Sequence, residues 1–309
     1  MRAVVVRSFG GPEALEIAEV PVPAPGPGQV RIRVEAATVN PVDVATRAGL
    51  LAKGGLMEAG PIGIGWDAAG VVDATGEGVD AFGEGDHVIG LSDRLVPLAA
   101  QADYVVLDAD AVARVPEGVD AVAAATIPLN ALTASQALDL LDLNSGQTLL
   151  VTGAAGGVGG FAVELAAARG LRVVAAAGDA DEALVRELGA AEFVPRSANL
   201  TEAVRRAVPG GVDGVLDAAS LGIPAREAVR GGGAFAAVIF GADPLPLRGI
   251  RVATVGVRAD GAALAEIVAL VERGALTLRV ADTYPLAEVA KAHERLAEGG
   301  LRGRLVLTL

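Results

Sequence analysis

The chain has two textures. In its first third, apolar and polar residues alternate with a period of two. Val30, Ile32 and Val34 interleave with Arg31, Arg33 and Glu35, which predicts a half-buried strand over 30–39. Residues 2–8, 70–72, 87–89 and 104–107 read as further short strands, with Gly-rich turns across 76–86. Pro21 to Gly28 is too rich in proline for a ladder, because proline fixes φ and lacks a donor. Asn40-Pro41-Val42-Asp43 opens a short helix, with proline in its first turn.

From about residue 120, apolar helical stretches alternate with short strands. Helices are expected over 121–126, 133–141, 158–169, 181–188, 200–207, 224–230 and 260–273. Strands are expected over 148–152, 171–176, 192–194, 213–217, 233–239 and 251–257. Such alternation predicts a parallel sheet with right-handed crossovers. The tail, 278–309, predicts a strand, a helix from Leu286 to Glu298 and a last strand from Arg304 to Leu309. The fold class is therefore α/β. A doubly wound nucleotide-binding domain over 119–276 is set within a β-rich domain built from both chain ends, 1–118 and 277–309.

Inside the second texture, the apolar run Leu149-Leu150-Val151-Thr152 enters Gly153-Ala154-Ala155-Gly156-Gly157-Val158-Gly159, and a helix follows at once. Small residues let a backbone approach a diphosphate, and the amides at a helix start meet its charge. The segment predicts a dinucleotide site. An NAD-specific site carries an acid at the end of the next strand to hold the ribose 2′-hydroxyl. Here Ala176 fills that place, beside Ala177 and Gly178, and does not repel a 2′-phosphate. Arg196, after the following strand, is either a cation for that phosphate or an ordinary surface arginine. Asp179, Asp181 and Glu182 close by weigh against an anion. NADPH is the expected cofactor, with NADH left open.

Composition narrows the classes further. The chain is 52% hydrophobic, with a mean hydropathy of +0.49, which rules out general disorder. No uninterrupted run of about 18 uncharged apolar residues suggests a membrane span. Met1 to Arg7 lacks the apolar core of a signal peptide, so a soluble cytoplasmic protein is expected. A net charge of −13 disfavours nucleic acid as a partner. The chain has no cysteine, which removes disulfides and thiolate metal sites. With only His87 and His293, both expected to be structural, neither a His-rich metal cluster nor a Ser/His/Asp triad is arguable.

Short segments in order along nearly the whole chain carry a resemblance. They include Pro21–Gly28, Asn40–Asp43 with Arg47 and Gly49, and Pro61, Gly65 and Asp67-Ala68-Ala69-Gly70-Val71-Val72. Gly85-Asp86-His87-Val88, Ala102-Asp103-Tyr104 and Ile127-Pro128 with Leu132-Thr133-Ala134 follow. The Gly-rich turn, Leu188-Gly189-Ala190 and Ala292-His293 complete the series. Together they resemble the medium-chain dehydrogenase/reductase superfamily, in its zinc-free quinone oxidoreductase (zeta-crystallin-like) branch. The resemblance implies a Rossmann domain, a GroES-like substrate domain and a cleft between them where NADPH delivers hydride. It also implies a homodimer paired through the sheet-edge strand Arg251 to Val257. Zinc-dependent relatives place their catalytic ligands where Asn40, Trp66 and Leu129 stand, and none of these can replace a thiolate or imidazole. No metal is expected.

The expected site residues follow. Asn40 and Trp66 are the catalytic candidates. Cofactor contacts are expected from Asn40, Thr133, Gly153, Ala154, Ala155, Gly156, Gly157, Val158, Gly159, Ala176, Ala177, Gly178, Arg196, Ala218 and Phe240. Several have a second reading. Asn40 can bond a carboxamide or a substrate oxygen, or cap the Pro41 helix, and Thr133 can cap a helix as well as lie under the nicotinamide. Trp66 lines the substrate site or fills core. Asp43 and Arg47, four apart, read as an intrahelical pair. Asp67 is expected to bond backbone, and Tyr104 to be structural. Ala45 stands where several quinone reductases have Tyr, which predicts a wider, more apolar pocket.

The preferred function is NADPH-dependent hydride transfer to a small, apolar, electrophilic quinone or conjugated enone. Developing oxyanion charge would meet Asn40 or a backbone amide. Two alternatives stay open. One is an enoyl reductase of a thioester or secondary-metabolite double bond, which would want a basic patch such as Arg94, Arg205 and Arg206. The other is a low-turnover NADPH-binding structural or sensor protein.

Overall fold

A computed structural model of the chain describes residues 1–55, 61–93 and 99–309. In chain order the strands are β1 (Arg2–Val6), β2 (Leu15–Glu19), β3 (Gln29–Val39), β4 (Ile62–Gly63), β5 (Asp67–Thr75), β6 (His87–Leu91), β7 (Tyr104–Asp108) and β8 (Val112–Arg114). They continue as β9 (Thr148–Thr152), β10 (Arg172–Ala177), β11 (Glu192–Pro195), β12 (Val212–Asp217), β13 (Val229–Ala237), β14 (Arg251–Thr254), β15 (Val280–Pro285) and β16 (Arg304–Thr308). The helices are α1 (Pro41–Arg47), α2 (Leu50–Lys53), α3 (Ala121–Ala124), α4 (Pro128–Leu141) and α5 (Gly157–Ala168). After them come α6 (Glu182–Glu187), α7 (Leu200–Ala207), α8 (Ile223–Glu227), α9 (Gly261–Glu272) and α10 (Val289–Glu298).

Two compact units divide the chain. The first is Met1–Leu129 with Arg258–Arg273 and Leu278–Leu309; the second is Asn130–Val257 with Gly274–Thr277. The sequence reading put the boundaries at 118/119 and 276/277. The units give α9 to the first unit instead, because Gly261 lies so close to β8 that a Cβ there would be 2.5 Å from the Val112 carbonyl oxygen.

The first unit holds a seven-stranded sheet in the order β15-β16-β3-β5-β6-β8, with β7 also on β3, and a three-stranded sheet β2-β1-β4. β16 pairs antiparallel with β3 from Leu305↔Val39 to Thr308↔Ala36, so both chain ends build this sheet. The period-two pattern of β3 points Val30, Ile32 and Val34 into a core with Val72, Val88 and Val105. A second cluster joins Val4, Val39 and Ile64 to Leu286, Val289 and Leu307, which seats the terminal helix. β2 escaped the sequence reading: its Leu-Glu-Ile-Ala-Glu run exposes both acids, and its pairing with β1 holds it.

The second unit is a six-stranded sheet in the order β11-β10-β9-β12-β13-β14, parallel throughout. The chain winds outward one way from β9 and the other way from β12, which is the doubly wound topology. Leu150, Val174, Val215 and Phe235 fill its core. Three sequence expectations change here. The helix expected over 133–141 starts at Pro128, since proline suits a first turn. The helix expected to reach 230 stops at Glu227, and 229–237 is strand paired with β12. The edge strand ends at Thr254, not 257. The segment Ala121–Leu141 is long and apolar enough to cross a membrane, but 72% of its most apolar window is buried inside the protein, as in a core helix.

Candidate nucleotide and substrate sites

In the second unit, strand register lines up the expected cofactor residues. Thr152 at the end of β9 pairs with Ala176 and with Asp217, Asp217 pairs with Ala237, and Ala237 with Thr254. The turn 153–159, the Ala177-Gly178 step, Ala218 and Phe240 therefore all leave the sheet at its carboxyl edge. The turn lies where the winding direction reverses, between β9 and β12. In open α/β sheets that is where ligands bind.

The turn is built for close approach. Gly153 has φ +62°, and its carbonyl accepts from the Gly156 N–H at 2.9 Å. A Cβ on Gly159 would lie 2.1 Å from the Gly153 oxygen, so only glycine lets α5 start this near the turn. Ala154 N–H donates to the Ala176 carbonyl at 3.1 Å. Beneath, the Thr152 hydroxyl donates to the Asp217 carboxylate, which also accepts from the Leu221 and Gly222 amides. Ala154, Ala155, Gly157 and Gly159 are buried, while Gly153, Gly156 and Val158 keep partial exposure. These residues fit a diphosphate: a shallow, small-residue surface at the start of a twelve-residue helix. Phe240 is 61% exposed. Thr133 is buried in the second turn of α4, so it does not cap that helix.

At the adenosine end of this edge, β10 closes with Ala176 and Ala177 and carries no acid. Arg196 is brought there by its own N–H, which donates to the Ala177 carbonyl at 2.7 Å. Asp179 comes with it. Its carboxylate accepts from the Ser197 N–H at 3.2 Å, and bonding to the Ser197 side chain and then its backbone, aided by the Arg196 charge, holds it below the usual carboxylate range. A cation and an anion thus share the place where a 2′-phosphate would be read.

The first unit gathers a buried polar cluster from three elements. Thr38 ends β3, Asn40 and Asp43 open α1, and Asp67 begins β5; all four are inaccessible to solvent. Asp67 accepts from the Thr38 hydroxyl, from the Asn40 side-chain amide at 2.7 Å and from the Leu129 N–H at 2.5 Å. Asn40 spends its second amide hydrogen on Thr38 Oγ1 at 2.8 Å, and its Oδ1 has no partner. Asn40 is the N-cap residue of α1, and Asp43, three residues on, reaches back to it: its carboxylate accepts from the Asn40 N–H at 2.7 Å and also from the Gly65 N–H at 3.1 Å. Only glycine fits at position 65, where φ is +115° and a Cβ would sit 2.4 Å from the Gln101 nitrogen.

Two expectations are thereby corrected. Asn40 cannot donate to an oxyanion, since both its N–H bonds are used; what it presents is an acceptor. The Asp43–Arg47 pair does not form. Arg47 turns to His293, with Nη1 3.4 Å from Nδ1. Burial pushes His293 down to about 3, helped by the Arg47 charge, so the ring is neutral. Burial raises Asp67, and pushes Asp43 up to about 8. Arg304 on β16 is buried with them, lowered by desolvation to about 10 and drawn back up by the two aspartates. Only Asn40, Trp66 and the backbone-bonding Asp67 in this cluster were legible as site candidates. An acid inside an otherwise apolar run, as in Trp66-Asp67-Ala68-Ala69, is the signal that would have marked the rest.

Trp66 is half-buried and lines a small cavity with Asp43, Thr46, Gly63, Ile64, Gly65 and Ala99. Leu129, the third position that would meet a metal, offers only its N–H, to Asp67. Among the described residues no cluster of three or more His, Asp or Glu is arranged to hold a metal. Of the basic-patch candidates, Arg205 is engaged by the carbonyls of Glu227 and Val229, and Arg94 lies outside the described residues.

Comparison with known proteins agrees with this architecture. The alcohol dehydrogenase GroES-like domain family matches residues 26–117, and the zinc-binding dehydrogenase family matches residues 188–307. The quinone oxidoreductase of Sus scrofa is 31% identical over 328 residues, covering 100% of this chain and 98% of the relative. A solved structure described as an NAD-dependent alcohol dehydrogenase superposes with a TM-score of 0.88 at 34% identity, covering 100% of both chains. A mycobacterial protein complexed with NADPH superposes with a TM-score of 0.86 at 28% identity, again over 100% of both. The family binds a nicotinamide cofactor, and the Gly153–Gly159 turn fits one. This chain belongs to the medium-chain dehydrogenase/reductase superfamily, in its quinone oxidoreductase branch, and is an oxidoreductase.

Proposed function

We propose that this oxidoreductase takes NADPH and passes hydride to a quinone or a conjugated enone without a metal. The observation that carries the reading is the row of small residues at the carboxyl edge of the parallel sheet, with its small-residue turn at the winding reversal. The bound nicotinamide would supply the hydride. The turn 153–159 and the start of α5 would hold the diphosphate, and the Ala177-Gly178 step, Arg196, Ala218 and Phe240 would flank the two nucleosides. The free Oδ1 of Asn40 suits an N–H donor such as the carboxamide of the nicotinamide. Conjugated acceptors are electrophilic enough to take hydride without Lewis-acid help. This accords with Asn40, Trp66 and Leu129 at the positions where zinc relatives carry ligands. Proximity and orientation would then supply most of the rate. The exposed edge strand β14 pairs two copies in this reading, and the protein works in the cytoplasm.

The deciding experiment titrates the protein with NADPH and NADH by fluorescence, then offers 9,10-phenanthrenequinone and small enones with and without EDTA. Cofactor oxidation that EDTA leaves unchanged is expected. Tight NADPH binding with no turnover on any acceptor would instead favour a sensor role. Loss of activity in EDTA would overturn the metal-free reading.

A further inference from the structure

The reaction consumes a proton for each hydride, and the Asn40 amide has none to spare. The buried cluster of the first unit contains a group that does. Asp43 and Asp67 are both shut off from solvent, at 0% exposure, and both face Arg304. Arg279, the other cation beside Arg304, opposes it in charge. Asp67 is met by donors on both oxygens, from Thr38, Asn40 and Leu129, which suits the carboxylate form. Asp43 has only the two backbone N–H groups of Asn40 and Gly65. Two buried carboxyl groups on one nearby guanidinium favour a state in which one of them keeps its proton, and Asp43 is the less well bonded.

Asp43 also borders a cavity. It lines the cavity with Thr46 and Trp66, and the free volume there, about 10 Å³, takes about one water molecule. The Thr46 hydroxyl donates to the Val42 carbonyl at 2.8 Å, which leaves its oxygen lone pairs for a donor in the cavity. Trp66, half-buried, forms part of the wall.

We propose that Asp43 is held as a neutral carboxylic acid and is the proton source for reduction, acting through a water in the cavity it shares with Thr46 and Trp66. This rests on the hydride-transfer reading above. Hydride carries two electrons to the electrophilic carbon of the acceptor, whose conjugated carbonyl becomes an enolate or phenolate. The cavity water gives that oxygen a proton and takes one from the Asp43 carboxyl, breaking its O–H bond. The carboxylate left behind is reprotonated from solvent before the next turnover, so no further reactant is needed. A proton donor whose pKa lies near the working pH serves this step best, and Asp43, at about 8, meets that condition.

The test has a readout free of cofactor. Infrared difference spectra of the protein alone, wild type against Asp43→Asn, should show a protonated carboxylic acid band at neutral pH that the variant lacks and that titrates away in alkaline solution. In turnover with a quinone, the wild-type kcat should fall as pH rises past about 8. Asp43→Asn should lower kcat about 100-fold with little change in KM, flatten that limb and change the solvent isotope effect. Thr46→Val, close in volume, keeps the carboxyl but removes the cavity oxygen, and should lower kcat while the infrared band remains. If Asp43→Asn does not fold, Thr46→Val and the wild-type band titration decide the matter. A turning-over enzyme whose acid band is absent, or whose alkaline limb survives Asp43→Asn, would overturn the proton-source role alone. A wild-type protein that shows the band yet oxidises no cofactor with any acceptor would mean that the hydride reading has failed and the proton role with it.

Discussion

At the scale of single residues, burial decides roles that residue type leaves open. His293 and Asp43 illustrate opposite signs of one effect. His293 is neutral in the fold with its pKa depressed to about 3, against about 6.5 unfolded. The unfolded chain therefore binds the extra proton first, and stability is lost as pH falls below about 6.5. By about pH 4 the loss is on the order of 3 kcal/mol. Asp43 has its folded pKa raised to about 8. Its contribution is fully present below about pH 4, the unfolded value, and is lost as pH rises through about 8. Between about pH 4 and about pH 6.5 the two slopes oppose each other, so the wild-type melting profile should be flat there, and from about pH 6.5 to about pH 8 it should fall on the Asp43 slope alone. Thermal melts of the variants separate them. His293→Gln, which keeps an acceptor for Arg47, should gain on the wild type progressively toward acid, and Asp43→Asn should gain toward alkali. Parallel profiles for all three proteins would show that neither group is shifted. Neither sign was legible in the sequence, where His293 reads only as structural and Asp43 as the partner of Arg47. Burial sets both signs, and it brings each group against residues distant in sequence, Gly65 for Asp43 and Arg47 for His293, 22 and 246 positions away.

At the scale of elements, the alternation of strand and helix was legible because it is local. The Gly153–Gly159 turn, the helix after it and the strands flanking it follow from spacing alone, and the sheet register confirms where they emerge. What spacing hides is which loops meet. The loop after β10 and the loop after β11 are joined by the Arg196 N–H on Ala177 and the Ser197 N–H on Asp179. That brings a cation and an anion to one exposed spot. Each would act on a 2′-phosphate through solvent, so about tenfold apiece is the scale to expect. Arg196→Ala should weaken NADPH binding about tenfold and leave NADH nearly unchanged. Asp179→Asn should shift the ratio toward NADPH by a similar factor. Equal effects of either change on both cofactors, measured by fluorescence titration, would place the 2′-phosphate elsewhere.

At the scale of the whole molecule, the sheet of the second unit is open, and among the described residues its edge strands β11 and β14 each pair on one side only. β14 bonds β13 on one side, from Ala234↔Arg251 to Ala237↔Thr254, and it is the last strand in the order. An edge strand carrying Val252, Ala253 and Thr254 presents unpaired backbone donors and acceptors, and no lysine guards it. Arg251 does not guard it either, since its Nη2 is drawn back to the Leu141 carbonyl at 2.9 Å. Such an edge is completed most simply by its own copy across a two-fold axis, because an isologous pairing closes and leaves neither β14 with a free side. If the two copies run antiparallel and the pairing extends past the end of β14 over residues 251–257, Thr254 stands at the centre and faces its twin. A like charge at that point is repelled by itself, whereas one at either end of the strand is not. Thr254→Lys should therefore turn a dimer into a monomer in light scattering after gel filtration, while Arg251→Lys, which keeps the charge at the end of the strand, should leave the dimer intact. A wild-type protein that elutes as a monomer, or a Thr254→Lys variant that stays dimeric, would place the contact on another face.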